Sequence, residues 1–147
     1  FVGSRGLGDV YKRQGYLGTK YRKKSLLCIL YALRAVSIAI FIFSPSSNIM
    51  SIVFGISFGL LWLSTVPPTN GIVAQIFGTK YLSSLFGIVF LSHQVGAFIG
   101  AYLGGYFYDQ FGSYDYAFYM AIALSIFATI VHYPINERPI QRSEATI

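Results

Sequence analysis

Charge is scarce in this chain, and cysteine is nearly absent. Lys, Arg, Asp and Glu together make up 11% of the 147 residues, less than half of the ~25% that a water-wetted globular surface carries. The single cysteine, Cys28, lies in an apolar run and excludes an intrachain disulfide. No acid falls inside any apolar run, and no His, Cys, Asp or Glu cluster has metal-ligand spacing, so no metal is expected. A G-x-S-x-G nucleophile elbow is missing as well, leaving no catalytic residue to name. These gaps argue against an enzyme, and no cofactor is expected. No run resembles a cleavable signal peptide.

Apolar residues fill the space that charge leaves: 54% of the chain is hydrophobic and 18% aromatic. They gather into four runs, 25–43, 49–77, 82–107 and 116–133. At ~1.5 Å per residue the third run would reach ~39 Å, more than the ~30 Å hydrocarbon core of a bilayer. The expected fold is an all-α, polytopic transmembrane helix bundle of four spans, with the lipid bilayer as its first partner. The third run is expected to organise the others. Its Gly96, Gly100 and Gly104 recur every four residues, with Ala97 and Ala101 beside them. Glycines so spaced share one helical stripe and admit a neighbouring helix backbone to backbone, which suits lipid, where packing replaces the hydrophobic drive. A tightly packed helix follows, with His93 and Gln94 buried at mid-depth. The second run holds Pro67-Pro68, which predicts one long helix kinked or broken there, because proline lacks an amide donor and clashes with the preceding turn. Residues 44–48, 78–80 and 108–115 read as connections.

Residues 4–14, SRGLGDVYKRQ, read as a translated transposase adapter from a sequencing library, whose last six codons give Asp9, Val10, Tyr11, Lys12, Arg13 and Gln14. Residues 1–14 are therefore expected to be an artefact, and the remainder a fragment of a longer protein. Setting them aside removes three basic residues and one acid, taking the formal net charge from +6 to +4. Nucleic acid is not an expected partner, because the basic residues flank apolar runs instead of lining a groove. Lys20, Arg22, Lys23 and Lys24 precede the first run, Lys80 separates the second from the third, and Arg138 and Arg142 follow the last. The other two connections hold only Asp109 and Asp115. By the positive-inside rule both ends lie in the cytoplasm, with the protein in the inner membrane. Tyr106, Tyr108, Tyr114 and Tyr116 then fall at the outer interface, where amphipathic rings prefer to sit.

The stretch GYLGTKYRKK, ahead of a span, resembles the cytoplasmic loop motif of the major facilitator superfamily, G-x-L-x-D-[RK]-x-G-[RK]-[RK]. Gly15, Leu17, Lys20, Lys23 and Lys24 fit, while Thr19 stands in place of the acid and Arg22 in place of the second glycine. In that family the acid helps lock the closed cytoplasmic gate, so such a lock lacks its acid here. LWLSTVPPTNGIVAQIFG and LFGIVFLSHQVGAFIGAYLGGYFYDQFGSYD are similar to the tenth and eleventh helices of bacterial carriers in the monocarboxylate or oxalate–formate branch. The resemblance implies that residues 15–139 are the C-terminal part of a transporter domain, helices nine to twelve of a twelve-helix fold, with 140–147 a cytoplasmic tail. Such carriers rock two six-helix halves about a central site. Helices ten and eleven line the cavity, and the missing N-terminal half is an obligate partner.

Several polar residues sit at membrane depth. Arg34 lies ~15 Å along the first run from Ser25, where an arginine costs roughly 2.5–3.5 kcal/mol to insert. With no acid in any run, its partner is a backbone carbonyl, an acid on another helix or an anionic substrate. A structural contact and a substrate or coupling role both stand. His93 shares the stripe of Gly96 and Gly100, so it reads as an interhelical hydrogen bond or a proton-coupling group. Gln94 points ~100° away around the helix. Trp62, Ser64, Thr65, Thr69 and Asn70 surround the double proline, where freed backbone groups either bind a ligand or form a hinge. His132 reads as a headgroup-region residue and Cys28 as packing.

The expected function is secondary active transport of small organic anions such as monocarboxylates, coupled to protons or an exchanged anion. A drug or metabolite exporter of the same superfamily is the alternative. A membrane anchor or assembly subunit fits less well, because pure anchors do not need polar groups at mid-depth.

Overall fold

The computed structural model describes residues 22–140. Residues 1–14, the loop-motif positions Gly15, Leu17 and Lys20, and all but the first residue of the tail lie outside the described residues. Those described form five helices and no strand: α1 (Lys23–Phe43), α2 (Asn48–Leu63), α3 (Val66–Phe77), α4 (Leu82–Phe111) and α5 (Asp115–His132). Helices α2 and α3 together make one apolar span, Asn48–Phe77, so four segments are long and apolar enough to cross a membrane. The third runs four residues beyond the apolar stretch read from the sequence, to Phe111.

Local chemistry sets the ends of these helices. Ser47 caps α2, its Oγ accepting the Met50 amide at 3.1 Å, which satisfies one of the amides that a helix start leaves unpaired. The break between α2 and α3 falls at Ser64-Thr65, in the turn just before the prolines, with which their rings would clash. Pro67 and Pro68 instead occupy the first turn of α3, where a missing amide costs no hydrogen bond. Gly78 closes α3 at φ 78°, and Gly112 closes α4 at φ 67°. Both torsions lie in the left-handed region that a side chain would strain.

Packing centres on α1, not on the glycine-rich α4. Helix α1 lies most extensively along α5 and also contacts α2 and α3, whereas α4 makes its main contacts with the edges of α3 and α5. Buried Leu27 of α1 meets Ile72 and Val73 of α3, with Leu82, Leu85 and Val89 of α4 closing over them. On its far half α1 stacks Phe41 on Phe54 at 4.2 Å between ring centres, with Phe118 edge-on to both. Ser37 and Ser57 join α1 to α2 at 3.2 Å between hydroxyl oxygens, a side-chain bond of the kind that holds helices together in lipid. Leu27 is only 1% exposed. Leu27→Ala is expected to destabilise the bundle by roughly 2 kcal/mol or more through the cavity it leaves, read as a lowered unfolding midpoint in detergent.

Residues 90–102 of α4 are exposed throughout. A Cβ built at Gly96, Gly100 or Gly104 would meet nothing within 4 Å. The stripe is therefore open among the described residues, because α3 reaches only the start of α4 and α5 only its end. Large apolar side chains such as Ile56, Leu60, Phe98, Tyr102 and Phe127 also face outward, far beyond the apolar patch that a water-soluble monomer tolerates. This is a multi-pass membrane protein. At the end where α4 turns into α5, Tyr108 stacks on Tyr114 at 4.7 Å and Phe111 lies 4.3 Å from Tyr116.

Candidate functional site

Three of the residues singled out from sequence, Arg34, Trp62 and His93, come together in the middle parts of α1, of the α2–α3 span and of α4. Arg34 of α1 reaches across to the helix break. There the Thr65 amide turns back to Trp62 O at 3.3 Å and not to Leu61, four residues before it, as a regular α-helix would require. Leu61 O is thereby freed, and Arg34 Nη2 donates to it at 3.5 Å, a long bond. The broken span supplies the arginine's carbonyl partner.

Aromatic faces surround the rest of the guanidinium. Its Cζ lies 4.9 Å from the ring centre of Trp62, 5.2 Å from Tyr31 and 5.7 Å from Phe58. Each such contact is worth ~0.5–2 kcal/mol as the site dries, which offsets part of the cost of carrying a charge to mid-depth. Arg34 Nε is buried and has no hydrogen-bond partner among the described residues. One strong donor is therefore left over.

Trp62 links this cage to α4. The His93 ring stands edge-on to the Trp62 indole at 5.5 Å, and Phe90 flanks His93 at 6.2 Å. His93 is otherwise exposed, as is Gln94, which makes no hydrogen bond among the described residues. The burial expected of this pair is not met within residues 22–140. On the other side of the arginine, Tyr31 lies 5.0 Å from His132, whose Nδ1 is 2.7 Å from Ala128 O.

The hydroxyls near the prolines bond their own helix. Ser64 Oγ donates to Leu60 O, Thr65 Oγ1 to Trp62 O and Thr69 Oγ1 to Thr65 O, each at 2.7 Å. They stabilise the break and do not offer donors to a ligand, the behaviour of Ser and Thr that back-bond within a helix. Asn70 faces outward. Cys28 Sγ sits 3.5 Å from Thr129 O on α5.

Residues 15–146 match the sequence profile of the Major Facilitator Superfamily. The chain belongs to that superfamily. Two curated relatives are an uncharacterized MFS-type transporter, YcxA, of Bacillus subtilis (strain 168) and monocarboxylate transporter 13 of Rattus norvegicus. The first is 29% identical over 93 residues, covering 63% of this chain and 21% of the relative. The second is 28% identical over 96 residues, covering 65% and 22%. The chain thus spans about a fifth of the length of these two relatives. No solved structure matches.

Of the stretch 15–24 that resembles the facilitator loop motif, Arg22, Lys23 and Lys24 are described, and the two lysines are engaged. Lys23 Nζ donates to Gln75 Oε1 at 2.6 Å, and Gln75 Nε2 donates to Glu137 O at 2.9 Å. The Lys24 amide donates to Glu137 Oε1 at 2.5 Å, and its Nζ to Tyr133 O at 3.1 Å. The Ile140 amide donates to Ile76 O at 3.0 Å. The starts of α1 and the ends of α3 and α5 are thus tied into one unit, with Glu137 the acid that touches the motif. Gly71 belongs to the same contact: a Cβ there would come within 3.0 Å of the Lys23 methylenes.

Sequence reasoning missed Tyr31, Phe58 and the Leu61 carbonyl around Arg34, and Gln75 and Glu137 around the lysines. Tyr31 and Phe58 had a local signal, lying three residues before Arg34 and four before Trp62 on shared helix faces. The Leu61 carbonyl had none, because its release depends on where the chain tightens ahead of the prolines. Gln75 and Glu137 lie 62 residues apart in sequence and meet only through the packing of α3 and α5 against α1.

Proposed function

We propose that this chain is the C-terminal part of a secondary carrier that moves small organic anions, such as monocarboxylates, across the cytoplasmic membrane by alternating access. One observation carries this reading: Arg34, held at mid-depth in an aromatic cage, keeps a buried Nε donor unpartnered. No acid among the described residues lies near enough to pair with it, so a carboxylate substrate is the complementary group. The name of the rat relative, a monocarboxylate transporter, supports the same substrate class. His93, edge-on to the same indole that covers Arg34, is the coupling candidate for a proton or exchanged anion, with Gln94 as a second hydrogen-bonding group.

Both ends of this chain are cytoplasmic on this reading. The missing N-terminal half of the carrier covers the open stripe of Gly96, Gly100 and Gly104. The loop motif from Gly15 to Lys24 acts in gating, with Glu137 in the role its missing acid would fill.

The test is uptake by the whole carrier in proteoliposomes. A labelled short-chain monocarboxylate should accumulate when a proton gradient or a counter-anion is imposed, and export of an apolar drug with no carboxylate uptake would favour the exporter reading. His93→Ala is expected to flatten the pH dependence of uptake while Phe90→Leu leaves it in place. An identical pH profile in wild type and His93→Ala would remove His93 from coupling.

A further inference from the structure

A polar concavity lies away from Arg34, where α1 begins and α3 and α5 end. Its volume is about 580 Å³, and its walls include Arg22, Lys24, Gln75, Asn136, Glu137 and Arg138. That size lies within the ~300–1,000 Å³ range of small-molecule pockets. Three cations face one acid, and the acid is already committed: Glu137 Oε1 accepts the Lys24 amide in the first turn of α1. Lys24 Nζ donates one hydrogen bond to Tyr133 O and lies 5.9 Å from the centre of the Tyr133 ring, with two further N–H donors. The Arg22 and Arg138 guanidinia make no hydrogen bond or ion pair among the described residues. Two guanidinium forks and an ammonium thus line one hollow with a single carboxylate, an excess of two positive charges among the described residues.

The hollow also has a defined level in the membrane. It lies where three apolar helices end and the basic residues of the chain gather, at the depth of lipid headgroups. Gln75 and Asn136 add amide groups beside the cations. We infer that this cavity binds a phosphate ester, with the headgroup of an anionic phospholipid as its source. Arginine forks match phosphate oxygens two at a time, and basic pockets between helix ends at such a surface are where anionic headgroups are recognised. Binding there would bridge α1 to the segment after α5, reinforcing the contacts of Lys23, Lys24, Gln75 and Glu137. The site is independent of Arg34 and of the transported solute.

The test uses the whole carrier in detergent, with retained lipid counted by native mass spectrometry. Wild type should retain phosphatidylglycerol in preference to phosphatidylcholine supplied at the same concentration. The Arg22→Gln/Arg138→Gln pair should lower phosphatidylglycerol retention at least tenfold, the least expected for losing two charge-assisted contacts, while Arg22→Lys/Arg138→Lys keeps part of it. Millimolar glycerol 3-phosphate serves as the soluble arm. If it displaces the lipid, the phosphate site stands and its source is a soluble ester; if it does not, the headgroup is the ligand. Equal retention of the two lipids by wild type would overturn the proposal, and that comparison stands even if a variant fails to fold. Unchanged retention in a folded glutamine pair would overturn it too.

Discussion

Arg34→Met is expected to make the carrier more stable and much less active at once. Arginine at mid-membrane costs roughly 2.5–3.5 kcal/mol on insertion scales, and here it recovers one long bond to Leu61 O and three aromatic contacts, with Nε left unpartnered. Methionine fills much of the same volume without a charge to desolvate, and replacing buried charge by apolar bulk is often stabilising. A rise of about 1 kcal/mol, a few degrees in melting temperature, is the expected direction. Uptake should fall about ten- to hundredfold, the worth of one charge-assisted hydrogen bond to substrate. Arg34→Lys should recover only part of it, because an ammonium cannot present the same planar fork. If Arg34→Met transports normally, the arginine is a packing element and the organic-anion reading loses its main support.

The second large effect concerns the glycine stripe of α4. Within residues 22–140 nothing lies within 4 Å of a Cβ at Gly100, so this unit alone has room for a side chain. A lipid-facing glycine would even gain up to ~1 kcal/mol of helix propensity on becoming alanine. The proposal that the other half of the carrier packs on this stripe predicts the opposite sign. Gly100→Leu should destabilise the whole protein by about 1–3 kcal/mol, the usual cost of overpacking, and cut uptake more than tenfold, with Gly100→Ala intermediate. Uptake in proteoliposomes and melting temperature in detergent decide it together. A leucine variant as stable and active as wild type would leave the stripe facing lipid.

Much of the fold was legible because lipid imposes strict terms on a chain. With no water to satisfy the backbone, a long apolar run must be a helix, so the four apolar segments mark four spans before any contact is known. The superfamily resemblance was legible in the same way, from the loop motif and the glycine helix, and the profile match over residues 15–146 bears it out. The candidate site was legible in part. Arg34, Trp62 and His93 stood out because an ionisable or amphipathic group at mid-depth is costly and therefore conspicuous. Ser64, Thr65 and Thr69 stood out because they surround the double proline, yet their hydroxyls turned inward to their own helix.

What the sequence by itself determined is the number of apolar spans and the place of each polar residue along them, since these follow from composition and from a fixed rise per residue. Which helix is the centre was decided only by tertiary structure. Helix α1 took that place from α4, because Leu27, Ala35 and Ile38 found facing surfaces while Gly96, Gly100 and Gly104 found none among the described residues. The break before Pro67 likewise handed Arg34 the Leu61 carbonyl, a partner set by the register between two helices. Local sequence encodes what a residue can do; only the packed chain fixes what lies opposite it.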